Sequence, residues 1–270
     1  MSDKLRLDLS SYPFPKNAQG KTFFDKGPGY TRLQRAFRAL AAEPGLGILT
    51  AEPGVGKTAA IRNLCAELPR PDHLVMYLCN TTVSPLELYR SLAGELGIAI
   101  SHRRGQLWAD IKKGLVHMVD ERGSLPIVVI DEAQHLSDAF LLDLSGFLNF
   151  AFDSRELLTL WLVGLPTLTR RIHMQQHASL RSRVAAEIRL EPLDRESFVA
   201  AVEYAMKAAG ASQKLFADQA MEMLYRGSRG VLRVASKAMR TAIRIAAERG
   251  QTFLDESAVQ AALDELGAST

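Results

Sequence analysis

AEPGVGKTAA, residues 51–60, is a glycine-rich turn that ends in Gly-Lys-Thr. It follows the apolar run GLGILT (45–50) and leads into TAAIRNLCAEL (58–68), whose apolar spacing predicts a helix. Strand, glycine turn and helix form the context that a phosphate-binding loop needs. Backbone N–H groups converge there on anionic oxygens at a helix N-terminus, where the peptide dipoles also favour negative charge. Pro53, Gly54, Val55, Gly56, Lys57, Thr58 and Ala59 are therefore the candidate nucleotide-binding residues. The glycines permit the backbone angles and the close approach. Lys57 would neutralise the β- and γ-phosphates, and Thr58 would hold Mg²⁺. The pattern G-x-x-x-x-G-K-[ST] opens here on Ala51 rather than glycine.

The second half of such a site stands at IVVIDEAQHL (127–136), an apolar run that ends in two acids. Asp131, at the carboxyl end of a strand, would hold the Mg²⁺ shell. Glu132 would orient and deprotonate the attacking water, since phosphoryl transfer asks mainly for positioning and charge stabilisation. The same pair would also serve as a plain helix N-cap, but a phosphate loop in the same chain argues for chemistry. Two arginines in SLRSRV, Arg181 and Arg183, stand where a ring-forming ATPase presents an arginine finger to its neighbour's γ-phosphate; the alternative is a solvated pair. In RGSRGVLRVASK, Arg233 opens a helix, either to fold over bound nucleotide or to stay on the surface.

The rest of the chain alternates strand and helix up to Pro192. Helices are predicted over 31–42, 84–97, 106–123 and 138–153, and strands over 73–79, 126–131 and 157–164, with a last short strand after the arginine-rich segment. HLVMYLC (73–79) reads as a buried strand, and Cys65 and Cys79 as reduced core residues with no metal spacing. This alternation predicts an α/β fold, a parallel five-stranded sheet sandwiched by helices. After Pro192 the segments ESFVAAVEYAMKAAG, ADQAMEMLYRG, GVLRVASKAMRTAIRIAAERG and ESAVQAALDEL all read as helices, a small all-helical lid domain. The divisions expected are an N-terminal aromatic and proline segment (1–30), a nucleotide-binding domain (31–192) and the lid (193–270). With 47% apolar and 23% charged residues over 270 positions, the chain has enough apolar residues for a core, and no window of about 20 apolar residues spans a membrane. A cytoplasmic protein is expected.

Together, YPF near the start, LTAEPGVGKT, VVIDEAQHL, LLDLSGFLNF, WLVGLPTL, LRSRV, LEPLDRESF and the G-x-x-R at 230–233 resemble the AAA+ ATPases, a P-loop NTPase family. The resemblance is to the ExeA-like branch that also holds the TnsC-type transposition regulators, and it runs from about Tyr12 to about Leu263. It implies ATP and Mg²⁺ as ligands, a helical lid, and nucleotide held between neighbouring subunits of a homo-oligomer. That oligomer is a ring or helical filament with about six subunits per turn. It also implies that Tyr12 and Phe14 lie near the adenine, although a hydrophobic clasp explains them as well. Two positions depart from the family. Leu165 stands where the fourth strand usually carries a polar γ-phosphate sensor, with Thr167 the nearest substitute, so slow hydrolysis is implied. The lid motif reads GVLR instead of GVPR.

Charge placement bears on the partner. SHRRGQLWADIKK (101–113) sets Arg103, Arg104, Lys112 and Lys113 against Asp110, and in related DNA-threading ATPases this part of the fold faces the pore. Such contacts to phosphates are sequence-independent and salt-sensitive. A second basic stripe, Arg229, Arg233, Lys237, Arg240 and Arg244, lies on one helical face opposite Val231, Val234, Ala238, Ala242 and Ile245; it is a solvated face or a contact with DNA or a neighbouring subunit. The 270 residues carry neither a transmembrane run nor a peptidoglycan-binding module. The leading expectation is a regulator that assembles on duplex DNA with ATP and recruits or activates a transposase, with a targeting protein as a further partner and no membrane. The alternatives are an ExeA-like ATPase serving a secretion or membrane assembly, and a slow-hydrolysing ATP-switched scaffold.

Overall fold

The structure, a computed structural model, describes residues 7, 9–20, 23–69, 71–79, 81–151 and 154–267. These fall into two compact units. One comprises Arg32–Ala51 and Leu64–Leu190 and contains a parallel sheet. The other joins the described residues of Met1–Thr31 to Glu52–Asn63 and Glu191–Thr270.

In the sheet unit, the strands are β1 (Leu46–Ala51), β2 (His73–Leu78), β3 (Leu125–Ile130), β4 (Thr159–Gly164) and β5 (Val184–Leu190), in spatial order β2-β3-β4-β1-β5. Every pairing is parallel, with Ile48 beside Leu162 and Glu187, and Ile130 beside Leu78 and Leu162. β1 and β4 are buried along their whole length, as continuous apolar strands inside a helix-covered sheet must be. In chain order, α1 (Pro28–Ala42) precedes β1 and α2 (Lys57–Ala66) follows it; α3 (Pro85–Glu95), α4 (Arg104–Arg122) and α5 (Asp138–Phe147) connect later strands, with α6 (Pro166–Ile172) and the short α7 (Ala178–Arg181) following β4. Leu88, Leu92, Leu107, Ile111, Leu115, Phe140, Leu144 and Phe147 of α3 to α5 join the sheet in one apolar core. α3 begins with a full capping box: the Ser84 hydroxyl accepts from Glu87 N, and the Glu87 carboxylate accepts from Ser84 N, with Pro85 at the first helical position. Gly47 leaves room for a ring: a Cβ there would sit 2.6 Å from Trp161, which is itself stacked on Phe37 at 5.8 Å.

Three local expectations change. β2 is an edge strand, paired with β3 alone, and its Tyr77 side chain is 47% exposed. An unalternating apolar run reads as doubly buried, but position at the sheet margin leaves one flank open. The helix expected over 138–153 ends at Phe147, with Leu148 as its cap, although residues 152 and 153 lie outside the described part. The apolar spacing runs on because Leu148 and Phe150 also enter the core, Phe150 from a short bridge with Arg155. Cys79 is exposed, and Cys65 is half-buried; both are free thiols.

In the other unit, α8 (Arg195–Ala208), α9 (Asp218–Ser228), α10 (Leu232–Glu248) and α11 (Glu256–Glu265) pack round a core that includes Phe198, Leu224, Met239, Ile243 and Leu263. Asp194 and Asp255 cap α8 and α11. The N-terminal Leu7 and Leu9 are buried in the same core, and Tyr12 and Phe14 pack on it. On α10 the exposed basic residues are Arg233, Lys237 and Arg240, while Arg244 is half-buried between Glu248 and Glu265. Arg229 belongs to the turn before the helix, with φ +51°, so the basic stripe is shorter than its 3–4 spacing predicts. No helix among the described residues is long and apolar enough to cross a membrane.

Candidate nucleotide site

The phosphate loop runs from the end of β1 into α2 (Lys57–Ala66), so Lys57 is the first helical residue. Gly54 and Gly56 take φ +87° and +116°, which an L side chain rarely adopts. Val55 and Lys57 are only 7% exposed, while Pro53 is exposed and Gly56, Thr58 and Ala59 are half-buried. A buried lysine at a helix N-terminus sets its charge beside the N–H groups of the first turn. That arrangement is complementary to a polyphosphate.

In the same unit, the start of α10 sits on this loop. The Arg233 N–H donates to the Gly54 carbonyl at 3.1 Å, and a Cβ on Gly54 would lie 2.8 Å from Arg233 Cβ and 3.0 Å from Val231. Gly54 is thus required twice, for its backbone angle and for this approach. The Arg233 side chain is exposed. Asn63, further along α2, accepts from Gly20 N at 2.9 Å and donates to the Tyr30 hydroxyl at 2.8 Å, tying the N-terminal segment to that helix. Tyr12 carries the Arg240 guanidinium over its ring at 5.0 Å, and Phe14 has φ +51°.

In the sheet unit, β3 delivers Asp131 and Glu132 at its carboxyl end. Asp131 is 3% exposed; its Oδ1 accepts from Glu132 N and its Oδ2 from the Tyr77 hydroxyl, both at 2.9 Å. Burial, and then the bond to Asp131, push the Tyr77 phenol up, so it remains a neutral donor at ordinary pH. A buried carboxylate held by two donors is a hard oxygen ligand of the kind Mg²⁺ takes. Glu132 has φ +54°, ψ +34°, a left-handed geometry that costs a non-glycine residue about 1–2 kcal/mol. Its carbonyl accepts from Thr81 Oγ1 at 2.9 Å, and its carboxylate accepts from Gln134 Nε2 at 2.8 Å. Gln134 Oε1 in turn accepts from Leu165 N at 3.0 Å. Arg171 of α6 donates to the carbonyls of Gln134 and Leu136, each at 2.8 Å, and to Asp138 at 2.5 Å. Thr167 is exposed on α6. Tyr77, Gln134 and Arg171 were invisible as site residues in the sequence, because nothing in their spacing marks them. Only the Pro166 that opens α6 gave a signal for its helix.

The basic residues of 101–113 divide by exposure. Arg103 caps α4 and is exposed, as is Lys113. Arg104 is exposed too and pairs with Asp143. Lys112 turns inward: Nζ donates to the Asn149 carbonyl and lies 4.6 Å from the Trp108 ring centre and 4.4 Å from that of Phe150. Its burial, and then the charge of Arg183, hold its ammonium below the usual lysine range. Arg183 is half-buried just before β5, and Arg181, exposed at the end of α7, donates to the His173 carbonyl at 3.3 Å.

Comparison with known proteins agrees with this architecture. A family profile described as an AAA domain matches residues 41–172. The General secretion pathway protein A of Aeromonas hydrophila is 28% identical over 207 residues, 76% of this chain and 38% of that protein. The chain thus spans well under half of that relative's length. Among solved structures, the Aeropyrum pernix ORC2 protein in its ADPNP-ADP complexes superposes with TM-score 0.71 at 15% identity, over 93% of this chain and 71% of that one. The Aeropyrum pernix ORC1 protein in complex with DNA gives TM-score 0.67 at 16% identity, over 95% and 66%. A five-stranded parallel sheet, a glycine turn that follows β1 in the chain, a helical C-terminal region and the AAA-domain match over residues 41–172 agree: the chain has the P-loop AAA+ fold.

Proposed function

We propose that this protein is an ATP-dependent, DNA-binding AAA+ ATPase that oligomerises on duplex DNA and recruits or activates a transposase. The observation that carries the nucleotide half is the buried Lys57 at the start of α2 behind two glycines of positive φ. The loop Pro53–Ala59 binds the phosphates through backbone N–H groups and Lys57. Thr58 and Asp131 would hold Mg²⁺, which when bound would supply charge neutralisation at the polyphosphate. Glu132 orients a water, whose oxygen attacks the γ-phosphorus while its proton passes to the Glu132 carboxylate; the bond to the ADP oxygen breaks, leaving ADP and phosphate. Arg183 or Arg181 of a neighbouring copy stabilises the charge that develops. Arg233, whose backbone already meets the loop, reports nucleotide state to the helical region, and Tyr12 and Phe14 flank the base. The divisions 1–30, 31–192 and 193–270 are the functional segments of this reading.

The DNA half rests on Arg103, Arg104, Lys112 and Lys113, of which Arg103, Arg104 and Lys113 are exposed. It also draws on the fold shared with an ORC1 protein that was solved with DNA. The assembly is a cytoplasmic ring or filament with about six copies per turn, and a targeting protein is a further partner. A second reading, an ATPase serving a secretion assembly, draws support from the likeness to General secretion pathway protein A.

Duplex binding measured by fluorescence anisotropy, with ATP and Mg²⁺, with ADP and without nucleotide, at two salt concentrations, separates the two. Tight, salt-sensitive binding with ATP alone supports assembly on DNA. No binding in any nucleotide state sinks that reading and leaves the secretion reading.

A further inference from the structure

We propose that Gln134 is a positioning residue for Glu132, a role that rests on the ATPase reading above. Gln134 lies in a single 3-10 turn, Ala133–His135, just past β3. Its side-chain amide makes two bonds of opposite sense. Oε1 accepts from the N–H of Leu165, the first residue after β4, at 3.0 Å, and Nε2 donates to Glu132 Oε2 at 2.8 Å. A backbone N–H only donates, so the oxygen must face Leu165 and the nitrogen must face the carboxylate. The amide therefore ties the base to the end of the neighbouring strand.

The surroundings are shaped for this bridge. Gly164 closes β4, and a Cβ there would lie 2.6 Å from Gln134 Oε1 and 3.2 Å from its backbone nitrogen. Any side chain at 164 would displace the amide. Arg171 holds the turn from the other side through the Gln134 and Leu136 carbonyls. The Leu165 side chain offers no donor, so at this strand end it is Gln134 that presents a polar group to Glu132. The backbone of Glu132 is held in a left-handed geometry, and the Gln134 donor fixes where its carboxylate points. Movement of the β4 end is thereby transmitted to the base.

The test pairs two variants. Gln134→Glu keeps an acceptor for the Leu165 N–H at nearly the same volume and removes the donor to Glu132. Gln134→Leu removes both. Both variants are expected to lower kcat for ATP at least about tenfold while the Kd for a fluorescent ATP analogue and the melting temperature stay near those of the unsubstituted chain. In a Glu132→Gln background, single-turnover hydrolysis should show no further loss from either change, because the two residues act as one unit. Gln134→Glu hydrolysing within about twofold of the unsubstituted chain, or an additive loss in the Glu132→Gln background, overturns the role. If the unsubstituted chain hydrolyses no ATP with or without duplex DNA, the ATPase reading falls and takes this role with it. Normal hydrolysis with indifferent variants removes the Gln134 role alone.

Discussion

Under the proposed ATPase reading, Lys57, Glu132 and Tyr77 have separate roles, and each has its own signature. Replacing Lys57 with alanine removes a charge-assisted phosphate interaction worth roughly 2–3 kcal/mol, so the Kd for ATP should rise on the order of 100-fold in calorimetry. Glu132→Gln should leave that Kd nearly unchanged and lower kcat by on the order of 10²–10⁴, the range of a lost general base. Tyr77→Phe deletes a donor to Asp131 without changing the apolar ring. The Mg²⁺ concentration for half-maximal hydrolysis should rise about tenfold, as expected when a ligand loses its outer-shell partner; an unchanged Mg²⁺ profile would falsify the ligand role of Asp131. The cysteines give a chemical check on burial. Burial pushes the Cys65 thiol up to about 12, whereas Cys79 is exposed. Iodoacetamide at neutral pH followed by mass spectrometry should label Cys79 and spare Cys65.

Among the elements, β1 and β4 depend on a glycine for their fit. Gly47→Ala would place a methyl 2.6 Å from Trp161, whose ring is stacked on Phe37 and has nowhere to go. Overpacking of this kind costs about 1–3 kcal/mol, so the melting temperature should fall by roughly 2–12 °C in a circular dichroism scan. Gly94 in α3 is the control: nothing lies within 4 Å of a Cβ there, and alanine should be neutral or slightly stabilising. These elements were legible to different degrees. The phosphate loop, β3 and its two acids were plain in the sequence because glycine angles and an apolar strand ending in carboxylates leave local marks. The apolar spacing of α5 runs past its end because Leu148 and Phe150 are buried from outside the helix, which spacing alone does not reveal. The sequence of β2 reads as doubly buried because a strand's neighbours are a property of the sheet and not of the segment. The bridge from Gln134 to Leu165 joins residues 31 apart in sequence, so nothing local announced it.

For the whole molecule, the proposed assembly on DNA should obey counterion release. Plotted as log K against log salt, the slope should become shallower by about 0.9 for each phosphate that is no longer neutralised. Arg103→Ala and Lys113→Ala should each produce that change with little effect on the folded chain, since both side chains are exposed. Lys112→Ala should also lower the melting temperature, because its ammonium lies over the Trp108 and Phe150 rings and donates to the Asn149 carbonyl. The division of the chain into units has a further consequence. Residues 52–63 group with the helices after Glu191, and the Gly54 carbonyl is bonded to the first turn of α10. Amide exchange in heavy water follows cooperative units rather than chain order. The amides of the phosphate loop should therefore become more or less protected in step with α10. Those of β1, one residue upstream, should keep the slow exchange of a central strand, so that a nucleotide clamping the loop is registered first as slower exchange in α10.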